Sequence, residues 1–200
     1  VINLLEGKEV QLPRFNFITG KKEWYDEPVR LGENQPVLVE GLHALNPKLT
    51  YFVPGYQQMR IYLSALTQIN INNHNRISTS DTRLLRRMVR DVQYRGHSPE
   101  DTLSIWKSVR RGEEENIFSF QNRADRVFNS ALIYELPVLK KMTRPMLERI
   151  KKGNPLYPEA QRLIHFFEPF RELSDDFVPD NSILREFIGY KKTKFSQKES

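Results

Sequence analysis

Two short apolar runs constrain the fold of this chain more than any other feature. Pro36-Val37-Leu38-Val39-Glu40-Gly41 is a continuous, β-branched stretch, and Met59-Arg60-Ile61-Tyr62-Leu63-Ser64 is read as a second strand of the same kind. Such runs suit central strands of a parallel sheet, covered on both faces. The segment between them, with Pro47, Leu49 and Phe52, has room for a short helix. Strand, crossover, strand implies an α/β sheet.

Other elements follow in order. Residues 1–5 read as the last turn of a helix, with Gly7 as its stop. Glu9 to Phe17 alternates like a strand interrupted by Pro13, and Gly20-Lys21-Lys22 is read as a turn. Residues 23–35 are read as a loop or edge hairpin, and 66–78 as a polar connection. Ser80 or Asp81 is placed to cap a helix running to about Arg95, where Gly96 stops it. Ser98-Pro99-Glu100-Asp101 is a strong helix start, and Gly112 is expected to end that helix. Residues 124–130 are expected as a strand and 135–152 as a helix limited by Pro137 and Pro145. Pro158 to Phe167 and Asn181 to Gly189 are expected as further helices, and 191–200 as a disordered basic tail.

Composition narrows the function classes. The 200 residues contain no cysteine, so disulfides and thiolate metal sites are ruled out. The four histidines, His43, His74, His97 and His165, show no metal-ligand spacing. No apolar run approaches the ~18 residues of a membrane span, and no signal peptide is visible. These features fit a cytoplasmic protein. The chain starts at Val1 rather than methionine, and Val1 is expected to be an internal residue of a longer protein or to follow a removed tag. Net charge is +6, with 31 basic residues against 25 acidic ones. That suits a phosphate-bearing ligand or an ordinary soluble surface, and it argues weakly for nucleic acid.

Three groups have the chemistry of a phosphate site. Glu40 ends an apolar run and is followed by Gly41. Ligands of open α/β sheets bind beyond the carboxyl ends of strands, and a carboxylate there helps hold magnesium, directly or through water. Arg83, Arg86, Arg87 and Arg90 lie on overlapping faces of one helix, with Arg95 just beyond. Like charges this close repel by roughly a few tenths of a kcal/mol per pair, so an anion or partner carboxylates must compensate. The planar fork of arginine bonds two phosphate oxygens at once. Phe15, Asn16 and Phe17 could wall a pocket for a planar base. The plain alternatives stay open: a solvated strand end, a solvated basic face partnered by Asp81 and Asp91, and core aromatics. No Gly-x-x-x-x-Gly-Lys-Ser/Thr run occurs, nor a His-Glu-x-x-His.

In this order the pieces resemble the uridine kinase family of phosphate-loop kinases, close to phosphoribulokinase and pantothenate kinase. The matching stretches are Val10 to Phe17, Val37 to Gly41, Asp81 to Asp91 with Arg95-Gly96, and more weakly Ala124-Asp125, covering roughly residues 1–130. The resemblance implies a kinase-type parallel sheet with flanking helices over 1–145, incomplete at its N-terminus. A helical extension over 146–190 would pack on it. It implies a lid helix over ATP, with Arg87, Arg90 and Arg95 near the transferring phosphate and Arg83 and Arg86 beside them. Glu40 would lie near magnesium, and Phe15 against a nucleoside base. The phosphate loop and catalytic aspartate would lie upstream of Val1, leaving this chain inactive alone.

Departures bear on the acceptor. Gly20 stands where uridine kinases carry a base-reading histidine, Arg95-Gly96-His97 where the lid ends in Arg-Gly-Arg, Ile105 in place of a glutamine, and Asn16 in place of an aspartate. The whole chain looks most like a bacterial subgroup labelled uridine kinase-like, in which some members carry a region resembling the N-terminal part of threonyl-tRNA synthetase. The expected partner is a nucleoside or related hydroxyl compound, with a homo-oligomer left open. Two other classes compete: an anion- or RNA-binding or assembly module using Arg86, Arg87, Arg110, Arg111, Lys140 and Lys141, and a degenerate kinase fold with a changed task.

Overall fold

The computed structural model describes residues 1–16, 19–67 and 77–190. Two compact units emerge. One draws on Val1–Tyr62 and Gly112–Val127, the other on Leu63–Arg111 and Phe128–Ser200 as far as these are described. The chain is a mixed α/β structure with a small parallel sheet and helices. The expected tail 191–200 and most of the 66–78 connection lie outside the described residues.

The first unit begins with α1 (Ile2–Leu5), a single turn that buries Leu4 and is followed by Gly7 at φ 71°. An antiparallel hairpin follows. β1 (Pro13–Asn16) pairs with β2 (Lys21–Trp24) in the register Pro13 to Trp24 and Asn16 to Lys21. Lys21 and Lys22 therefore belong to a strand rather than to the expected turn. The reversal is made before them: Gly20 N donates to Asn16 O at 2.8 Å, and Gly20 adopts φ 66°, a left-handed conformation glycine takes without strain.

Residues 36–41 correct the first expectation. They form no strand, and Leu38 is 91% exposed. A β-branched run becomes a strand only when a neighbour takes its backbone hydrogen bonds. Among the described residues no such neighbour is present for this run. The expected short helix after it is two single turns, Pro47–Leu49 and Gly55–Gln57. Asn46 caps the first, its side chain accepting from Lys48 N at 3.0 Å.

β3 (Ile61–Ser64) and β4 (Arg126–Asn129) form the second sheet. Arg60 O accepts from Asp125 N at 2.8 Å, and Ser64 O accepts from Ser130 N at 2.9 Å. Both strands advance in the same sense, so the pair is parallel.

Helices dominate the second unit. α2 (Thr79–Tyr94) is capped by Ser78 rather than by the expected Ser80 or Asp81, because the Ser78 Oγ accepts from Asp81 N at 3.2 Å. Gly96 at φ 66° then lets the chain leave the helix. α3 (Pro99–Asn116) starts with a reciprocal cap: Ser98 Oγ accepts from Asp101 N at 3.0 Å, and the Asp101 carboxylate accepts from Ser98 N at 2.8 Å. These bonds from the Ser98 hydroxyl and backbone hold the Asp101 carboxyl below its usual range. Gly112 does not end α3. It has no positive φ, so it continues as an ordinary helical residue, at a cost of roughly 1 kcal/mol relative to alanine.

α4 (Glu135–Glu148) carries Pro145 in its last turn, α5 is Tyr157–Phe166, and α6 is the short Arg185–Ile188. Leu84, Leu85, Met88 and Val89 of α2 are wholly buried, with Leu139 and Leu147 of α4, Leu163 of α5, and Phe167 and Leu184 nearby in the chain. Each such side chain stabilises by roughly 1.5–3 kcal/mol through burial. The apolar face fixes which way α2 turns its arginines.

Candidate functional site: the arginine face of α2

The arginines are not equivalent. Arg86 is the most committed. Its Nε donates to Glu135 Oε2 at 2.6 Å, and one terminal nitrogen donates to Ser130 O at 3.0 Å. Both members of the Arg86–Glu135 pair are buried. Burial raises the Glu135 carboxyl above its ordinary range, and the Arg86 charge works in the opposite direction. Removing either partner would leave the other charge buried and unpaired.

Arg87 and Arg95 share a different carboxylate. Asp91 is fully buried, with its Oδ1 accepting from Arg95 at 2.9 Å and its Oδ2 3.1 Å from Arg87 Nε. That second approach is close but poorly aligned, and among the described residues neither Arg87 Nε nor Asp91 Oδ2 has a hydrogen-bond partner. Arg83 is half-buried and engaged within the chain.

Arg90 is the least committed of Arg86, Arg87, Arg90 and Arg95. Its Nε is buried without a hydrogen-bond partner among the described residues. The Glu186 carboxylate of α6 lies 3.6 Å away, beyond hydrogen-bond length. The Phe187 ring lies 5.6 Å from the Arg90 guanidinium carbon and 5.2 Å from that of Arg86. Desolvation lowers the Arg90 pKa first and the neighbouring Arg95 charge lowers it further, against the opposing pull of Asp91 and then Glu186. A cation so placed favours an arriving anion, which would restore both a partner and a countercharge.

At the start of α2, Asp81 is paired not with a helix arginine but with Arg162 of α5, which donates to both carboxylate oxygens at 2.7 and 2.8 Å. Hydrogen bonds to Asp81, then to Glu159, hold the Arg162 pKa above its usual value.

The other expected site residues lie in the first unit. Phe15 is exposed on β1, and Asn16 donates to Glu23 Oε1 at 2.9 Å. Phe17 lies outside the described residues. Glu40 is exposed on the irregular 36–41 stretch, so it does not end a strand. Among the described residues no three or more Asp, Glu or His side chains gather where a metal could bind, and Glu40 belongs to no such group.

Sequence reasoning missed Glu135, Glu186 and Phe187 as partners of the arginines. Glu135 carries a helix-start signal, an acid in the first turn of α4. Nothing local marks its pairing with a residue 49 positions away.

The sequence model of the phosphoribulokinase/uridine kinase family matches residues 1–134, about two thirds of the chain. The chain belongs to that family. No curated protein and no solved structure matches it. The whole of α2 lies inside the matched stretch of this family member, whereas Glu135, Glu186 and Phe187 lie beyond it. Among the described residues no helix is long and apolar enough to cross a membrane.

Proposed function

We propose that the chain is the C-terminal, arginine-bearing portion of an ATP-dependent kinase that transfers the γ-phosphate to a hydroxyl of a uridine-like nucleoside. The observation that carries this reading is the family match over residues 1–134, with α2 and its arginines inside it. ATP supplies the phosphoryl group: the acceptor oxygen bonds to the γ-phosphorus, its hydroxyl proton passes to solvent, the bond to the β–γ bridging oxygen breaks, and ADP leaves. Charge is spread over the equatorial oxygens in that step. Arg90 would donate to them, and Arg87 and Arg95, oriented by Asp91, would supply further positive potential. Phe15 and Asn16 are proposed for the acceptor base.

These 200 residues contain no Gly-x-x-x-x-Gly-Lys-Ser/Thr run. The proposal therefore assigns them the arginine side of the site and no cradle for the phosphates. Residues 1–145 would belong to the kinase domain and 146–190 to its helical extension, in a cytoplasmic bacterial enzyme.

Calorimetry with ATP tests this. The chain is expected to bind ATP, and Arg90→Ala to weaken binding about tenfold or more, the loss of one charge-assisted hydrogen bond. Transfer from ATP to uridine by these residues alone is expected to be undetectable. Turnover of about 1–100 s⁻¹, ordinary for a kinase, would sink the division of labour proposed here.

A second reading, a kinase fold that has lost transfer, draws support from the internal pairing of Arg86, Arg87 and Arg95. It expects no ATP binding and no effect of Arg90→Ala.

A further inference from the structure

We infer that the C-terminal α6 is part of the anion site on α2: Phe187 positions the Arg90 guanidinium, and Glu186 is a built-in competitor that an incoming polyphosphate displaces. This rests on the proposed role of Arg90 and assigns its regulation to residues outside the family-matched 1–134.

The first support is the ranking of the arginines. Arg86 is locked to Glu135, and Arg87 and Arg95 are held by the buried Asp91. Of these four, Arg90 is the one that faces an exposed carboxylate: the side chain of Glu186 is 65% exposed and that of Arg90 28%. At 3.6 Å the pair attracts without a formed hydrogen bond. A weak, half-solvated ion pair of this kind contributes little and yields to a better anion. Two charge-assisted bonds to phosphate oxygens would exceed it.

The second support is that α6 is firmly seated. The guanidinium of Arg185, next to Glu186, is buried and donates to Val178 O, Asp175 O at 2.9 Å and Gly189 O at 3.2 Å. Gln93 of α2 donates from Nε2 to Ile188 O at 3.2 Å. Glu186 and Phe187 are thus presented to Arg90 from a fixed backbone. The ring of Phe187 contacts both Arg86 and Arg90, which limits where the Arg90 fork can point. Glu186 can leave by side-chain rotation alone, because its exposed carboxylate is not packed.

The test is calorimetric titration of the full chain with inorganic tripolyphosphate and, separately, orthophosphate. Glu186→Gln is expected to tighten tripolyphosphate binding about two- to fivefold, the range of an exposed ion pair. That gain should shrink as salt rises. Glu186→Asp, which keeps the charge, should stay near the parent affinity. Phe187→Leu should weaken binding about two- to fivefold, while thermal unfolding shows that the chain still folds. Simple damage to the fold would weaken binding, so the tightening by Glu186→Gln has the opposite sign to a merely structural effect. Orthophosphate is expected to respond less, since a single phosphate reaches fewer donors. If Arg90→Ala weakens tripolyphosphate binding but Glu186→Gln leaves it unchanged or weaker, the competitor role is wrong and the Arg90 reading survives. If Arg90→Ala has no effect, both fall.

Discussion

The two compact units differ in what they bury. The second closes a core of α2, α4 and α5 side chains, with Leu84, Leu85, Met88, Val89, Leu139 and Leu163 all at zero exposure. In the first unit, Leu38, Tyr51, Tyr56 and Met59 are largely exposed, and Leu4 and Tyr62 are the buried apolar side chains among its described residues. Helices supply their own backbone hydrogen bonds, so an amphipathic stretch needs only one apolar neighbour to be stable. A strand needs another strand. The second unit is therefore specified by its own sequence. The first contains strand-forming residues, 37–39 among them, whose hydrogen bonds find no partner strand in the described part of the chain.

This difference can be broken most forcefully at the Arg86–Glu135 pair. Glu135→Ala leaves the Arg86 charge buried and unpaired, and is expected to cost about 3–5 kcal/mol in urea unfolding. A loss under about 1 kcal/mol would mean that the pair is solvated in solution. Next, Leu139→Ala should cost about 2–5 kcal/mol, against less than about 0.5 kcal/mol for Leu38→Ala. Equal losses at the two sites would show that 36–41 is buried after all. Hydrogen exchange sharpens the same contrast without mutation: amides of α2 and α4 should be protected, and those of 36–58 should exchange quickly.

The smallest effects concern the start of α3. Ser98→Ala should cost about 1 kcal/mol. The cap also has a pH signature. Because Asp101 has a folded pKa below its usual value, its contribution is complete above that usual value. It is lost as pH falls through the lowered one. A carboxyl titration followed by NMR that gives Asp101 an ordinary or raised midpoint would remove this cap from the account.

Glycine shows how far the sequence could be read. Gly96 and Gly112 both follow amphipathic runs, and both read as helix stops. Gly96 adopts φ 66° and ends α2, whereas Gly112 stays helical and α3 continues to Asn116. Local sequence supplies the permission to turn, while the packing beyond decides whether the turn is made. The end of α2 and the Ser98–Asp101 cap were legible because each depends on neighbours a few residues away, and β3 and β4 were legible from their own residue pattern although their pairing joins residues 65 positions apart. The partners of the arginines were not. Glu135 lies 49 positions from Arg86, and Arg162 lies 81 from Asp81, so no periodicity links them. The arginine cluster showed that countercharges were needed, and only the fold supplies which carboxylates answer. That answer singles out Arg90, because Arg86, Arg87 and Arg95 each have a buried carboxylate within 3.1 Å.

The most direct measurement is an NMR titration of the arginine Nε–H resonances with ATP. The account expects the Arg90 resonance to shift most, Arg87 and Arg95 to follow, and Arg86, locked to Glu135, to stay still. Saturable shifts that leave Arg90 untouched, or no shifts on α2 at millimolar ATP, would contradict it.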